Sequence, residues 1–208
     1  MDRIEVLKGH GWIELTDHMG DELKIVNAAR IAYNKQSETL DDNDKAILKA
    51  LLTNGHTSPL EHVVFTFHVK APIFVVRQWF RHRTWSYSEL SRRYTKSEPE
   101  FYYPYYFTGK NEVDGEKVVE LLMNTYAEAV NAYDQLLNAG VKAEQARMVL
   151  PVGMMTEFYG TVNLNNLLKF LGLRDDAHAQ YEIQEYAKAI KQLVKPILPT
   201  VAEALKWE

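Results

Sequence analysis

The chain predicts an α+β fold: an antiparallel sheet flanked by long helices, in a single compact domain spanning residues 1–208. Three observations carry that expectation. Segments with apolar residues at helical spacing and segments with strict alternation both occur, yet they never settle into a regular β-α-β order, which argues against a parallel sheet. At 208 residues and 46% apolar composition, one chain can bury a substantial core. No repeat, low-complexity tract or interdomain linker divides it.

In order, residues 3–7 and 12–15 read as short strands around Gly9 and Gly11. Asp21 is a candidate N-cap for a helix reaching about Tyr33, with Leu23, Val26, Ala29 and Arg30 at helical spacing. After a polar loop at 35–43, Asp41 or Asp42 caps a second helix carrying Ile47, Leu48, Leu51 and Leu52. Gly55 stops it at the C′ position. Residues 56–62 form a turn and 63–69 a strand, with Val63, Phe65, Phe67 and Val69 on one face and Val64, Thr66 and His68 on the other. Pro72 suits the first position of a helix running to about Arg81.

Residues 97–116 make a tyrosine-rich loop longer than ordinary connections. Its aromatic run from Phe101 to Phe107 reads as packed core ahead of a cofactor site. A long amphipathic helix at 116–139 is stopped by Gly140, and a shorter one at 142–150 is closed by Pro151. Residues 154–162 read as a strand. Asn163 then caps a helix ending at Gly172, residues 178–194 form the last long helix, and a short one follows Pro199.

Composition excludes several functions. The net charge of −4 argues against general nucleic-acid or membrane-surface binding, and no apolar run reaches the length of a membrane span, so the expected location is cytoplasmic. With no cysteine there is no thiol nucleophile, disulfide or thiolate metal site. The seven histidines show no zinc spacing, so no metal is expected. Neither G-x-G-x-x-G nor a P-loop is present, so any dinucleotide is held by other means.

Against this acidic background, residues 77–96 gather Arg77, Arg81, Arg83, Arg92, Arg93 and Lys96, with His82 and the single acid Glu89. Cations at this density repel unless an anion usually sits among them. The preference for arginine suits bidentate recognition of phosphates and carboxylates. Interleaved aromatics leave room for a nucleic-acid-binding module, which the net charge and the shortness of the patch oppose.

Arg81-His82-Arg83, followed after seven residues by Ser91, resembles the R-H-R-x7-S signature of the flavin-dependent thymidylate synthases, and Arg93 continues that pattern. So do G-H-T-S-P-L-E-H at 55–62, A-R-M-V-L-P at 146–151, T-V-N at 161–163 and L-R-D-D-A-H-A-Q-Y-E-I-Q at 173–184. The resemblance implies methylation of dUMP to dTMP, with methylenetetrahydrofolate as one-carbon donor and NADPH-reduced FAD as hydride source. It also implies a homotetramer whose active sites are shared between subunits. The cysteine-free composition fits, because such chemistry must activate the uracil ring without a protein thiol. A family member reduced to NADPH oxidation is the competing expectation.

The same resemblance assigns residues. Flavin contacts fall to His56 and Ser58 in the turn, to Arg81, His82, Arg83 and Glu89, and to Asn163, Asn165 and Lys169. Contacts with dUMP fall to Gln78 and Arg81 from a neighbouring subunit, to Glu89, Ser91 and Arg93, and to Arg147 and Arg174. Two positions depart from the family pattern: Lys169 and Ser88 each stand where asparagine is expected. Asn163 doubles as a helix cap, Glu61 serves to fix its turn, and Arg147 is either a core-edge ion pair or an inward ligand. Arg174 is the residue assigned to chemistry, facing the uracil and favouring ionisation at N3. Its alternative role is an ion pair with Asp175 or Asp176.

Overall fold

The computed structural model describes residues 3–93, 98–109 and 112–207, so Lys96 and Ser97 lie outside the described residues. In chain order these residues form β1 (Arg3–Val6), β2 (Gly11–Met19), α1 (Glu22–Arg30), α2 (Asp42–Thr53), β3 (Val64–Pro72) and α3 (Ile73–Trp79). They continue with β4 (Ser86–Glu89), α4 (Gly115–Asn138), α5 (Ala143–Ala146), β5 (Met155–Asn163), α6 (Leu164–Arg174), α7 (Tyr181–Val194) and α8 (Pro199–Ala204).

The strands make one five-stranded sheet in the order β1-β2-β3-β5-β4, antiparallel at every pairing. Central β3 explains itself by period two. Val63, Phe65, Phe67 and Val69 are fully buried on the face that the helices cover, beside Ile13, Phe158 and Val162. The opposite face carries Thr66 hydrogen-bonded to Thr161 at 3.0 Å, and His68 stacked on Tyr159 at 4.4 Å. The expected α+β class and antiparallel sheet therefore hold.

Capping chemistry sets the helix starts. Asp21 accepts from the Lys24 N–H at 3.0 Å, and Asp41 forms a capping box with Asp44. Gly55, at φ +67°, takes the left-handed position after α2 that a side chain would resist. Asp44 is almost wholly buried, yet its Oδ1 accepts from Arg30 Nε at 2.8 Å and from Ser37 Oγ at 3.1 Å, clamping α1 and the 31–41 loop onto α2. Burial would raise the Asp44 carboxyl. The hydrogen bonds from Arg30, Ser37 and the Asp41 backbone, with the Arg30 charge, hold it below the usual carboxylate range.

The first aromatic residues of the tyrosine-rich loop are packed, as expected of that run, while Tyr106 stays exposed. Phe101 stacks on Tyr126 of α4 at 4.5 Å in a satellite cluster with Met154, while Tyr102 enters the main core.

Several boundaries differ from the sequence expectation. Pro72 is the last residue of β3 rather than the first of a helix; α3 begins after it, and the Ile73 N–H bonds the Met154 carbonyl at 3.0 Å. The 142–150 segment is one α turn followed by a 3-10 turn (Arg147–Val149). Helix α6 runs through Gly172 to Arg174, because nothing crowds that glycine and its φ is ordinary. Helix α7 starts at Tyr181 because Asp176 accepts from the His178 N–H at 2.8 Å and turns the chain first. Strand β4, within the basic stretch, was not expected at all.

Candidate active site

The R-H-R turn is wound by its apolar neighbours. Trp79, at the end of α3, is fully buried against Phe170 at 4.8 Å, and Trp85 packs edge-on to it. Between these anchors the backbone turns back, with the His82 N–H bonding the Trp79 carbonyl at 3.0 Å. The Tyr87 hydroxyl, reaching over from β4, donates to the carbonyls of Trp79 at 3.1 Å and His82 at 3.0 Å. With the two tryptophans inward, Arg77, Arg81 and Arg83 are left exposed at the C-terminal end of α3, where carbonyl dipoles favour cations.

Arg174 meets this turn from the end of α6. Its Nε donates to His82 Nε2 at 3.0 Å and its Nη2 to the Gln78 carbonyl at 3.1 Å. Accepting at Nε2 requires the neutral ring, with the proton on Nδ1. Burial and then the Arg174 charge push the His82 pKa down to about 4, so the ring is neutral at physiological pH. The neighbouring acids are engaged elsewhere: Asp175 pairs closely with Lys191, and Asp176 with His178. The ion pair weighed for Arg174 from sequence is thus not the one formed.

A second group lies at the far end of the signature. Glu89 accepts from Thr156 Oγ1 at 2.9 Å. The Arg93 N–H bonds Ser91 Oγ at 3.4 Å, and its guanidinium lies 3.5 Å from the Glu144 carboxylate. Arg147 is on the same turn as Glu144, exposed, with Nε donating to the Glu144 carbonyl at 3.3 Å. Among the described residues Arg147 thus forms no core-edge ion pair, and its side chain is open to solvent.

A third group surrounds the turn after α2. His56 and Ser58 are exposed on a cleft of about 640 Å³ with Arg30, Tyr33 and Lys35. On its other side Asn165 and Lys169 line a cleft of about 520 Å³ with Thr57, Leu168 and Trp207. Asn165 donates to Glu61 at 2.8 Å, so Glu61 does fix its turn, against α6. The Asn163 oxygen is spent as the α6 cap, accepting from the Asn166 N–H at 3.0 Å. Among the described residues no cluster with metal-ligand geometry occurs, and no helix is long and apolar enough to cross a membrane.

A family model described as thymidylate synthase complementing protein matches residues 14–200. A flavin-dependent thymidylate synthase of Thermotoga neapolitana is 48% identical over 93% of this chain and 90% of its own length. The chain belongs to the flavin-dependent thymidylate synthase family. Another member, from Thermus thermophilus, is 47% identical over 91% of this chain and 73% of its own. Among solved structures, the UMP/dUMP methylase PolB of Streptomyces cacaoi, bound with 5-Br dUMP, matches with a TM-score of 0.86 at 33% identity, covering 94% of each chain.

In this flavin-dependent thymidylate synthase family member, the contacts among the described residues place the signature side chains in three local groups, around Arg174, around Arg93 and around His56. Sequence reasoning missed Tyr87, Phe170 and Gln180, whose side chain pairs with Gln78. The alternation of Trp85, Tyr87 and Glu89 was a signal for β4 and for the inward Tyr87, obscured by the surrounding charge.

Proposed function

We infer that the chain methylates dUMP to dTMP as a flavin-dependent thymidylate synthase. The observation that carries this reading is Arg174, a half-buried guanidinium whose two hydrogen bonds go to uncharged acceptors. Its full positive charge is available to a ligand. Held against the uracil, it stabilises negative charge spread over O2, N3 and O4, which raises electron density at C5 without a covalent nucleophile. The one-carbon unit ends on C5, and the C5 proton leaves.

Ser91, Arg93 and Arg147 suit the dUMP phosphate. The Arg93–Glu144 pair is exposed and so holds little energy, and the Arg93 guanidinium is of the kind that binds a phosphate bidentately. Gln78 and Arg81 sit one turn apart for a nucleotide, and Glu89, bonded to Thr156, offers a further acceptor. The donor set also fits FAD: Arg81, Arg83 and Lys169 suit a pyrophosphate, His56, Ser58, Asn163 and Asn165 offer polar contacts, and the apolar cleft walls suit a planar ring. When bound, reduced FAD supplies the hydride that completes the methyl group, with NADPH as reductant and methylenetetrahydrofolate as donor. That the contacts of one protomer do not join the three groups supports a homotetramer that gathers them between subunits.

The test is tritium release from dUMP labelled at C5, with methylenetetrahydrofolate and NADPH, after stripping flavin and with or without added FAD. Release that requires FAD, with dTMP formed, is expected. NADPH consumption and flavin uptake without tritium release would overturn the synthase in favour of an oxidase.

A further inference from the structure

Arginines that stabilise developing anions need two properties that conflict. They must be held in one orientation, which hydrogen-bond acceptors do, and they must keep their charge, which carboxylate acceptors cancel. Arg174 resolves the conflict with a histidine. The edge formed by Nε and Nη2 is taken by His82 Nε2 and the Gln78 carbonyl, both neutral. Among the described residues nothing accepts from Nη1, so the other edge faces away with its donors open.

The surroundings keep His82 neutral. From α6 it receives Arg174 and the edge of Phe170, with ring centroids 4.9 Å apart. From β4 comes only the Tyr87 hydroxyl, which donates to the His82 carbonyl and is itself kept protonated by burial. Its own turn contributes Arg81 and Arg83, both cations. Among the described residues no carboxylate bonds the ring, so nothing on any packed element would stabilise an imidazolium.

We propose that His82 is the positioning residue of Arg174: a neutral acceptor that fixes the guanidinium against the uracil without drawing off its charge, and that releases it on protonation. The proposal rests on the reading that Arg174 faces uracil, and it adds a role to the flavin contact that the family resemblance gives His82.

Two measurements test it. In the full chain labelled with ¹⁵N-histidine, the His82 signal, identified by its loss in His82→Gln, should report the Nδ1–H tautomer and stay neutral down to about pH 5. In Arg174→Ala its titration should move up toward 6.5. Titration near 6.5 in the unmodified chain, unmoved by Arg174→Ala, would overturn the proposal. This arm needs neither flavin nor turnover, so it stands even if tritium release fails and the synthase reading falls.

The second measurement is tritium release per bound flavin, with bound FAD quantified by absorbance. His82→Gln, whose amide oxygen reaches the Nε2 position, should keep kcat within about 5-fold. His82→Ala, and His82→Asn with its shorter reach, should lose about 100-fold, the size expected for a misplaced catalytic group, with little change in KM for dUMP. Equal losses in all three, or a loss seen only in flavin content, would reduce His82 to a flavin contact and overturn the positioning role.

Discussion

Arg174 is paired against its sequence neighbours. The chain offers it Asp175 and Asp176 within two residues, yet those acids go to Lys191 and His178, and the guanidinium goes to His82 and a carbonyl. A carboxylate partner would have been the stronger anchor and the poorer catalyst. Arg174→Ala should therefore leave the flavin in place and cut dTMP formation by about 10³-fold, the scale of losing one preorganised electrostatic contact. Flavin absorbance with the tritium assay checks this, and undiminished turnover would remove the role. At this scale the sequence offered Arg174 its neighbouring acids as partners, and the structure gives it His82 and a carbonyl instead. The Arg174–His82 contact spans 92 residues, and no spacing rule reaches that far.

Among the elements, the junction of α1 and α2 depends on one side chain. Asp44 is the third residue of a capping box, the acceptor for Arg30 and the acceptor for Ser37, all while nearly excluded from solvent. Asp44→Ala strands a part-buried arginine and opens the cap together, and should cost about 3 kcal/mol. A urea melt would read this as a lower midpoint at unchanged slope. Because this junction walls the cleft carrying His56 and Ser58, flavin uptake should fall as well. Elements whose signals are local were legible in the sequence: the Asp41 cap, the Gly55 stop and the alternation of β3 each carry their own physics. Strand β4 was not, because the alternation of its few residues is hidden among arginines, and its order comes from β5 and the inward Tyr87. The run of α6 through Gly172 was also hidden, since a glycine stops a helix only where the backbone needs a left-handed turn.

Across the whole molecule, tyrosines set the alkaline limit of the fold. Tyr102 and Tyr186 are fully buried, and burial raises both hydroxyls well above 10, with nearby Glu182 adding to the effect. The folded state keeps these protons where the unfolded chain loses them. Stability is therefore complete below pH 10 and lost above it, by about 1.4 kcal/mol per pH unit for each such tyrosine. Denaturant midpoints at pH 9, 10 and 11 should be flat and then fall.

The larger consequence concerns assembly. Gln78 lies in the last turn of α3 and Arg81 just past its end, whereas Ser91, Arg93 and Arg147 gather where the end of the signature meets α5 and the 3-10 turn after it. If two copies supply these groups to one dUMP, inactivating one group in each of two chains leaves intact sites in a mixture. Co-expressing Arg81→Ala with Arg93→Ala should then restore about a quarter of the unmodified activity, because one site in four draws both groups from intact partners. Each variant alone should be nearly inactive. A mixture no better than its components would mean that each protomer builds its own site, and that the separation of these groups is closed by movement within one chain.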